Sequence, residues 1–206
     1  MSTESYFQNI RSSAERETYR DGIMEIAAGV LFFIVALATG RPAFYWMYLG
    51  AILILGPGVQ RLKARFTYPR IGYVRLPNED PGRLRRGLVT WVLGVFLLVA
   101  VVLTLTGHLT DNLAWRRAAP ALGGLLFAGG YTYMAQRSRL RRHYVLAASS
   151  ALLGVLMIWP LQPEPYGNLR VWALLMALLN LAMGVFVLWR FIRENPIIEE
   201  RTPDAD

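Results

Sequence analysis

The chain contains no cysteine among its 206 residues. This absence excludes disulfide bonds, thiolate catalysis, iron–sulfur clusters and cysteine-ligated zinc. The sequence also lacks an HExxH motif, a Walker-type glycine loop and a GxSxG motif. Its two histidines, His108 and His143, fall at opposite membrane faces in the topology derived below, so they could not share a metal or haem. We therefore expect no catalytic, cofactor-binding or metal site.

Charge is scarce as well, because 17% of the residues are charged and 54% are hydrophobic. The apolar residues are grouped in six blocks, each near the roughly 20 residues that a helix needs to cross a hydrocarbon core. The blocks are 23–39, 43–60, 87–106, 118–135, 144–160 and 171–189. They predict an all-α polytopic integral membrane protein, with six transmembrane helices in a bundle formed by residues 23–192.

The positive charge lies between these blocks rather than along one face. With the N-terminus in the cytoplasm, 18 of the 22 Lys and Arg residues fall in inner segments, namely 1–22, 61–86, 136–143 and 190–206. Cytoplasmic loops are enriched in Lys and Arg, so this bias places both termini in the cytoplasm. The net charge of +8 then reflects topology, and we expect no nucleic acid as a partner.

The sequence also predicts the structure of the two ends of the chain. A capping box from Ser12 to Glu15 predicts a helix that begins near residue 13 and runs straight into the first span. An alternative is a signal peptide with an Ala-Leu-Ala cleavage site ending at residue 38, which the acidic residues of segment 1–22 oppose. Residues 193–206 are acidic and rich in proline, and we expect a loose tail.

The segment 61–86 is the most basic of the chain and is predicted to be the main cytoplasmic loop. Pro69 is expected to stop the preceding helix and to hold Tyr68 in extended geometry. The loop either only orients the chain or also binds anionic lipid headgroups. The candidate residues for lipid contact are Arg61, Lys63, Arg65, Tyr68, Tyr73, Arg83, Arg85 and Arg86.

Three features within the spans could form a polar site. Glu25 is an acid inside a span and hence a functional candidate, although pairing with Arg20 or a loop arginine at headgroup depth is the plainer reading. Asn180 lies near mid-span, where an amide often bonds between helices. Pro57 is expected to break the second helix, as in transporter sites, or only to kink it.

Small residues predict close packing between helices. Gly22, Gly29 and Ala36 repeat every seven residues and mark one face of the first helix, which also carries Glu25. Glycine, alanine and serine in the fourth and fifth helices predict a tight hairpin. A shared Gly-Val pair at Gly58 and Gly184 is either a trace of duplication or chance.

Tryptophan prefers the headgroup level of a membrane. All six tryptophans fall near predicted membrane interfaces, Trp172 among them.

The stretches FTYPRIGYVRL and RFIRENPIIEE resemble segments of uncharacterised bacterial multi-pass inner-membrane proteins. The resemblance covers a small part of the chain. It implies a bacterial inner-membrane location and no named activity, so it gives no residue a catalytic role.

Two functions from different classes follow from these patterns. The first is a non-enzymatic accessory, assembly or structural subunit that acts with other membrane proteins or by self-association. The alternative is a small transporter or channel component that uses Glu25, the Gly56-Pro57-Gly58 break and Asn180. A transporter should gather Glu25, Pro57 and Asn180 around one cavity, whereas an accessory protein should hold them at separate interfaces. A lipid-handling enzyme that uses the basic loop is a third, weaker alternative.

Overall fold

A computed structural model describes residues 19–41, 46–71, 112–159 and 166–196, together with a few residues between 89 and 97. Within these parts every regular element is an α-helix, which confirms the all-α class. The helices are α1 (Ile23–Ala38), α2 (Trp46–Phe66), α3 (Tyr68–Ile71), α4 (Asn112–Ser138), α5 (Arg141–Leu156) and α6 (Gly167–Glu194).

The long helices overlap five of the predicted apolar blocks. Helix α4 runs without interruption through the glycine-rich stretch around Pro120, and α6 extends beyond its block at both ends. The described residues of block 87–106 are helical, and the rest of that block lies outside the described residues.

Length and composition identify one potential membrane span among the described residues. Helix α6 is long and apolar enough to cross a membrane, whereas α1 is apolar but only 16 residues long. Taken one by one, the described helices therefore support one span and not six. The last turns of α2 carry Arg61, Lys63 and Arg65, and the first turns of α4 carry Arg116 and Arg117, which lowers their hydropathy.

In two helix pairs the backbones of the partner helices are in direct contact. A Cβ atom on Gly184 of α6 would lie 2.7 Å from the Ile26 nitrogen of α1 and 2.9 Å from the Gly22 carbonyl oxygen. In the second pair, the α-carbons of Gly124 and Gly154 face each other so closely that a Cβ on either would come within 2.9 Å of the other. These contacts confirm the predicted glycine face of α1 and the tight hairpin of α4 and α5.

An aromatic cluster joins the two pairs. The ring of Phe32 in α1 lies 4.5 Å from that of Phe127 in α4 and 5.4 Å from that of Trp172 in α6, measured between centroids. Trp172 is 1% exposed and lies near the start of α6, so its ring packs between helices and is not on the lateral surface. Its ring covers Gly123, where the missing side chain leaves room for the indole.

Contacts between residues at the helix ends show which helix ends lie at the same end of the bundle. At one end, Arg20 pairs with Glu194 at 3.5 Å and Arg70 donates to the Asn195 carbonyl over 3.2 Å. At the other end, Arg170 donates to the Thr39 carbonyl over 3.2 Å. The start of α1 therefore lies with the ends of α2 and α6, and the end of α1 lies with the start of α6.

The predicted continuous helix from residue 13 into the first span is wrong at residues 20–22. Gly22 has a φ of 77°, a left-handed conformation that ends any helix approaching α1. A residue with a side chain could not occupy this position without strain, because its Cβ would also lie 2.5 Å from the Gly184 carbonyl oxygen.

Of the two alternatives at Pro57, a break or only a kink, the structure excludes the break. Helix α2 continues through Pro57 to Phe66, since one proline removes a single backbone hydrogen bond and can bend a helix without ending it. Tyr68 is helical rather than extended, because the amides of Arg70 and Ile71 both donate to the Thr67 carbonyl. Pro69 sits in the first turn of α3, where an amide hydrogen is not required.

Candidate functional site

A cluster of buried charged side chains lies where the start of α1 meets the end of α2 and the start of α5. Asp21 and Glu25 are 0% and 1% exposed, and Lys63 and His143 are 4% and 0% exposed. Ionised groups are expensive to bury unless they are paired. The contacts within this cluster therefore decide what it can do.

Asp21 anchors the start of α1 to α2. Its Oδ1 accepts a hydrogen bond from the Ile23 amide over 3.1 Å, which satisfies one of the free amides of the first turn. Its Oδ2 accepts from the Thr67 hydroxyl over 2.7 Å and lies 4.0 Å from Lys63 Nζ. Burial raises the pKa of Asp21, while Lys63 and Thr67 oppose that effect. Burial also lowers the pKa of Lys63, against the attraction of Asp21.

Glu25 connects α1 to α5. Arg142 Nε donates to Glu25 Oε1 over 2.5 Å, and Arg142 Nη2 donates to the Tyr19 carbonyl. His143 Nε2 lies 3.0 Å from the same Oε1. The sequence predicted that Glu25 pairs with Arg20 or with a loop arginine. The partner is the arginine Arg142, and Arg20 pairs with Glu194 instead.

The other ring nitrogen of His143 contacts the turn between α4 and α5. His143 Nδ1 lies 2.9 Å from the Ser138 hydroxyl, which itself donates to the Met134 carbonyl over 2.7 Å. The amide of Leu140 points at the same hydroxyl over 3.4 Å. His143 is thereby fixed from both sides.

One atom of the cluster has no partner among the described residues. Glu25 Oε2 is fully buried and receives no hydrogen bond. An unsatisfied buried acceptor costs free energy comparable to its desolvation, so this oxygen is the least satisfied polar atom of the cluster.

Asn180 occupies a different interface. The Tyr131 hydroxyl of α4 donates to Asn180 Oδ1 over 2.7 Å, and Asn180 Nδ2 donates to the Met176 carbonyl over 2.8 Å. The residue is 0% exposed and shares its buried face with Ala173, Ala177 and Gly184, as predicted. It therefore joins α6 to α4 by an ordinary hydrogen bond.

Pro57 belongs to neither interface. It is exposed on α2, and a Cβ on either flanking glycine would meet no atom within 4 Å. The structure thus places Glu25, Asn180 and Pro57 in three separate environments.

The candidate lipid contacts divide in the same way. Arg61 and Arg65 are exposed, and Tyr68 donates to the exposed Gln60 side chain over 3.2 Å. Lys63 is a correction, because its ammonium is turned inward toward Asp21 and cannot reach a headgroup. Tyr73, Arg83, Arg85 and Arg86 lie outside the described residues.

In the described part of the chain, no three His, Asp or Glu side chains are arranged to hold a metal ion. The members that sequence reasoning missed are Asp21, Thr67, Ser138, Arg142 and His143. The topology offered a signal, since segments 1–22 and 136–143 were both predicted at the inner face, where their opposite charges could meet.

Comparison with protein-family models, with curated proteins and with solved structures finds no match to this chain. The resemblance of the two short stretches to bacterial inner-membrane proteins therefore stays a hypothesis.

Proposed function

We propose that the protein is a multi-pass protein of the bacterial inner membrane that acts as a non-catalytic accessory or assembly subunit. The observation that carries this proposal is the separation of its polar candidates. Glu25 and Asn180 are each bonded directly to a side chain of another helix, at two different interfaces, and Pro57 is exposed on α2. This arrangement is that of a scaffold held together internally, with no shared cavity among these three residues.

Membrane insertion is supported by the lateral surface. Large apolar side chains are exposed on several helices, among them Phe33 at 46%, Leu53 at 74%, Leu152 at 61% and Leu178 at 65%. A soluble monomer rarely exposes apolar surface on this scale. The alternation of helix ends described above is the arrangement expected of helices that cross a membrane in turn, and we propose six spans with both termini in the cytoplasm.

The experiment is photo-crosslinking in native membranes. A crosslinking amino acid at Leu53 or Phe186, both exposed, is compared with one at Met176, which is 0% exposed. An accessory subunit gives a discrete protein adduct of constant stoichiometry from at least one exposed position and none from Met176. An adduct of twice the mass of the chain identifies self-association. Lipid adducts alone from every exposed position would contradict the proposal.

A second candidate function is proton- or cation-coupled transport, favoured by the unpartnered Glu25 Oε2. It predicts that vesicles containing the purified chain acidify or lose an imposed ion gradient. It also predicts that Glu25→Gln abolishes this flux at unchanged protein abundance. Such a result would place transport ahead of the accessory role.

Anionic lipid is a further partner in this proposal. Each basic residue near an anionic surface contributes about 1 kcal/mol. Replacing Arg61 and Arg65 by Gln should lower the anionic lipid that co-purifies with the chain. Arg190 and Arg193, exposed at the same end, form the matched control pair. Equal losses from both pairs would show a general charge effect and no lipid site.

A further inference from the structure

The hydrogen-bond pattern around His143 determines where hydrogens lie. A serine hydroxyl has one hydrogen to donate and two lone pairs to accept. The Ser138 hydroxyl lies 2.7 Å from the Met134 carbonyl oxygen, which can only accept, so its hydrogen is directed there. The hydroxyl oxygen must then accept from His143 Nδ1, 2.9 Å away, and Nδ1 carries a hydrogen.

The same reasoning applies to the other side of the ring. A neutral imidazole that carries its hydrogen on Nδ1 presents a lone pair at Nε2. His143 Nε2 lies 3.0 Å from Glu25 Oε1, and a carboxylate oxygen is also only an acceptor. Two acceptors at this distance repel, so a further proton is needed between them.

We infer that the Glu25–His143 pair is a proton-binding site. It holds one proton more than a carboxylate and a neutral imidazole carry together. This proton forms the hydrogen bond that links α1 to α5 at this site. The pair is written as imidazolium and carboxylate, or as imidazole and carboxylic acid, and both descriptions contain the same number of protons. Loss of the proton leaves two acceptors facing each other, and the hydrogen bond between Glu25 and His143 is lost.

The charged and titratable groups around the pair come from several elements. Asp21 precedes α1, Lys63 approaches from α2 and Arg142 from α5. The neutral Tyr131 hydroxyl lies on α4, and the Tyr19 ring lies edge-on to His143 with its centroid 6.2 Å away. Helix α6 packs on α1 through Leu181 and Gly184, which do not titrate. Glu25 Oε1 lies within hydrogen-bond distance of both Arg142 and His143, while Oε2 has no partner among the described residues. The shared proton lies between Oε1 and Nε2 in both descriptions, so both are consistent with an unpartnered Oε2.

The test uses the full chain with His108→Gln, so that His143 is the only histidine, labelled with ¹⁵N and reconstituted in lipid nanodiscs. At pH 7.5 an isolated histidine and an isolated glutamate would both have lost their protons. Two protonated ring nitrogens in the spectrum support the site. A neutral ring with hydrogen on Nδ1 also supports it if an infrared carboxylic acid band is present and is lost in Glu25→Gln.

Two outcomes overturn the inference. One is a neutral ring with hydrogen on Nδ1 and no carboxylic acid band. The other is a neutral ring with hydrogen on Nε2, which would reverse the Ser138 hydrogen bond. If His108→Gln reduces the folded yield, the wild-type chain is used. The His143 signal is then assigned by its proximity to a ¹³C-labelled Glu25 carboxyl.

Discussion

Glu25 and Arg142 lie 117 positions apart in the sequence, and Arg142 Nε donates to Glu25 Oε1 over 2.5 Å. This contact joins α1, which packs closely on α6, to α5, which packs closely on α4. It therefore bridges the two tight helix pairs at the end of the bundle where the charged segments gather.

Removing Arg142 should destabilise the fold. Arg142→Gln removes the arginine partner of the buried Glu25 carboxylate and leaves only His143 beside it, and breaking a buried pair costs about 3–5 kcal/mol. We expect the low end of that range, because the Arg142 side chain is 18% exposed. The adjacent Arg141 is exposed and provides the matched control. Equal losses for Arg141→Gln and Arg142→Gln, measured by denaturing-detergent titration, would exclude a specific pair.

Substitution by alanine should lower the stability of the fold at Gly184 of α6 and raise it at Gly58 of α2. Gly184→Ala places a Cβ 2.7 Å from the Ile26 nitrogen and forces α1 and α6 apart, at a cost of about 1–3 kcal/mol. Gly58→Ala meets no atom within 4 Å and should stabilise α2 by about 0.5–1 kcal/mol, because alanine favours a helix interior. A similar loss of thermal stability at both sites would contradict the difference in packing between Gly184 and Gly58.

Stability should depend on pH through Asp21. Burial raises the pKa of Asp21 above its ordinary value of 3.8, so the folded state binds this proton more tightly than the unfolded state. The resulting stabilisation is complete below the unfolded-state pKa and is lost as the pH rises through the folded-state pKa. Wild type should therefore lose stability relative to Asp21→Asn as the pH rises from about 4.

The control for this titration is Glu194. A hydrogen bond from the Arg190 side chain lowers the pKa of this exposed residue, so its contribution is lost as the pH falls. Glu194→Gln should change the pH profile in the opposite direction. A constant difference in unfolding free energy between wild type and Asp21→Asn across this range would refute the assignment.

The sequence predicted elements better than it predicted their ends. Apolar blocks and glycine spacing indicated the long helices, the α1 face with Gly29 and the α4–α5 hairpin, because these depend on local composition. Pro57 does not break α2, because a helix tolerates one missing hydrogen bond when both flanking segments favour helix. The interruption at Gly22 was missed because it depends on the close approach of Gly184, a contact between distant parts of the chain.

The polar cluster was only partly predictable for the same reason. Glu25 stood out because an acid within an apolar block is conspicuous. Lys63 was assigned to lipid because a lysine in a basic segment looks exposed, and only the fold shows that it turns toward Asp21. His143 and Ser138 carried no local signal, since their role depends on which helix faces the start of α5.

Sided cysteine labelling tests the multi-pass topology most directly. The chain has no cysteine of its own, so Arg41→Cys and Ala64→Cys, both at exposed positions, each introduce a single reactive thiol at opposite ends of the bundle. In intact spheroplasts an impermeant maleimide should label Arg41→Cys and not Ala64→Cys, and in inverted vesicles the order should reverse. Labelling of both variants from the same side would contradict a membrane-spanning arrangement of α1 and α2.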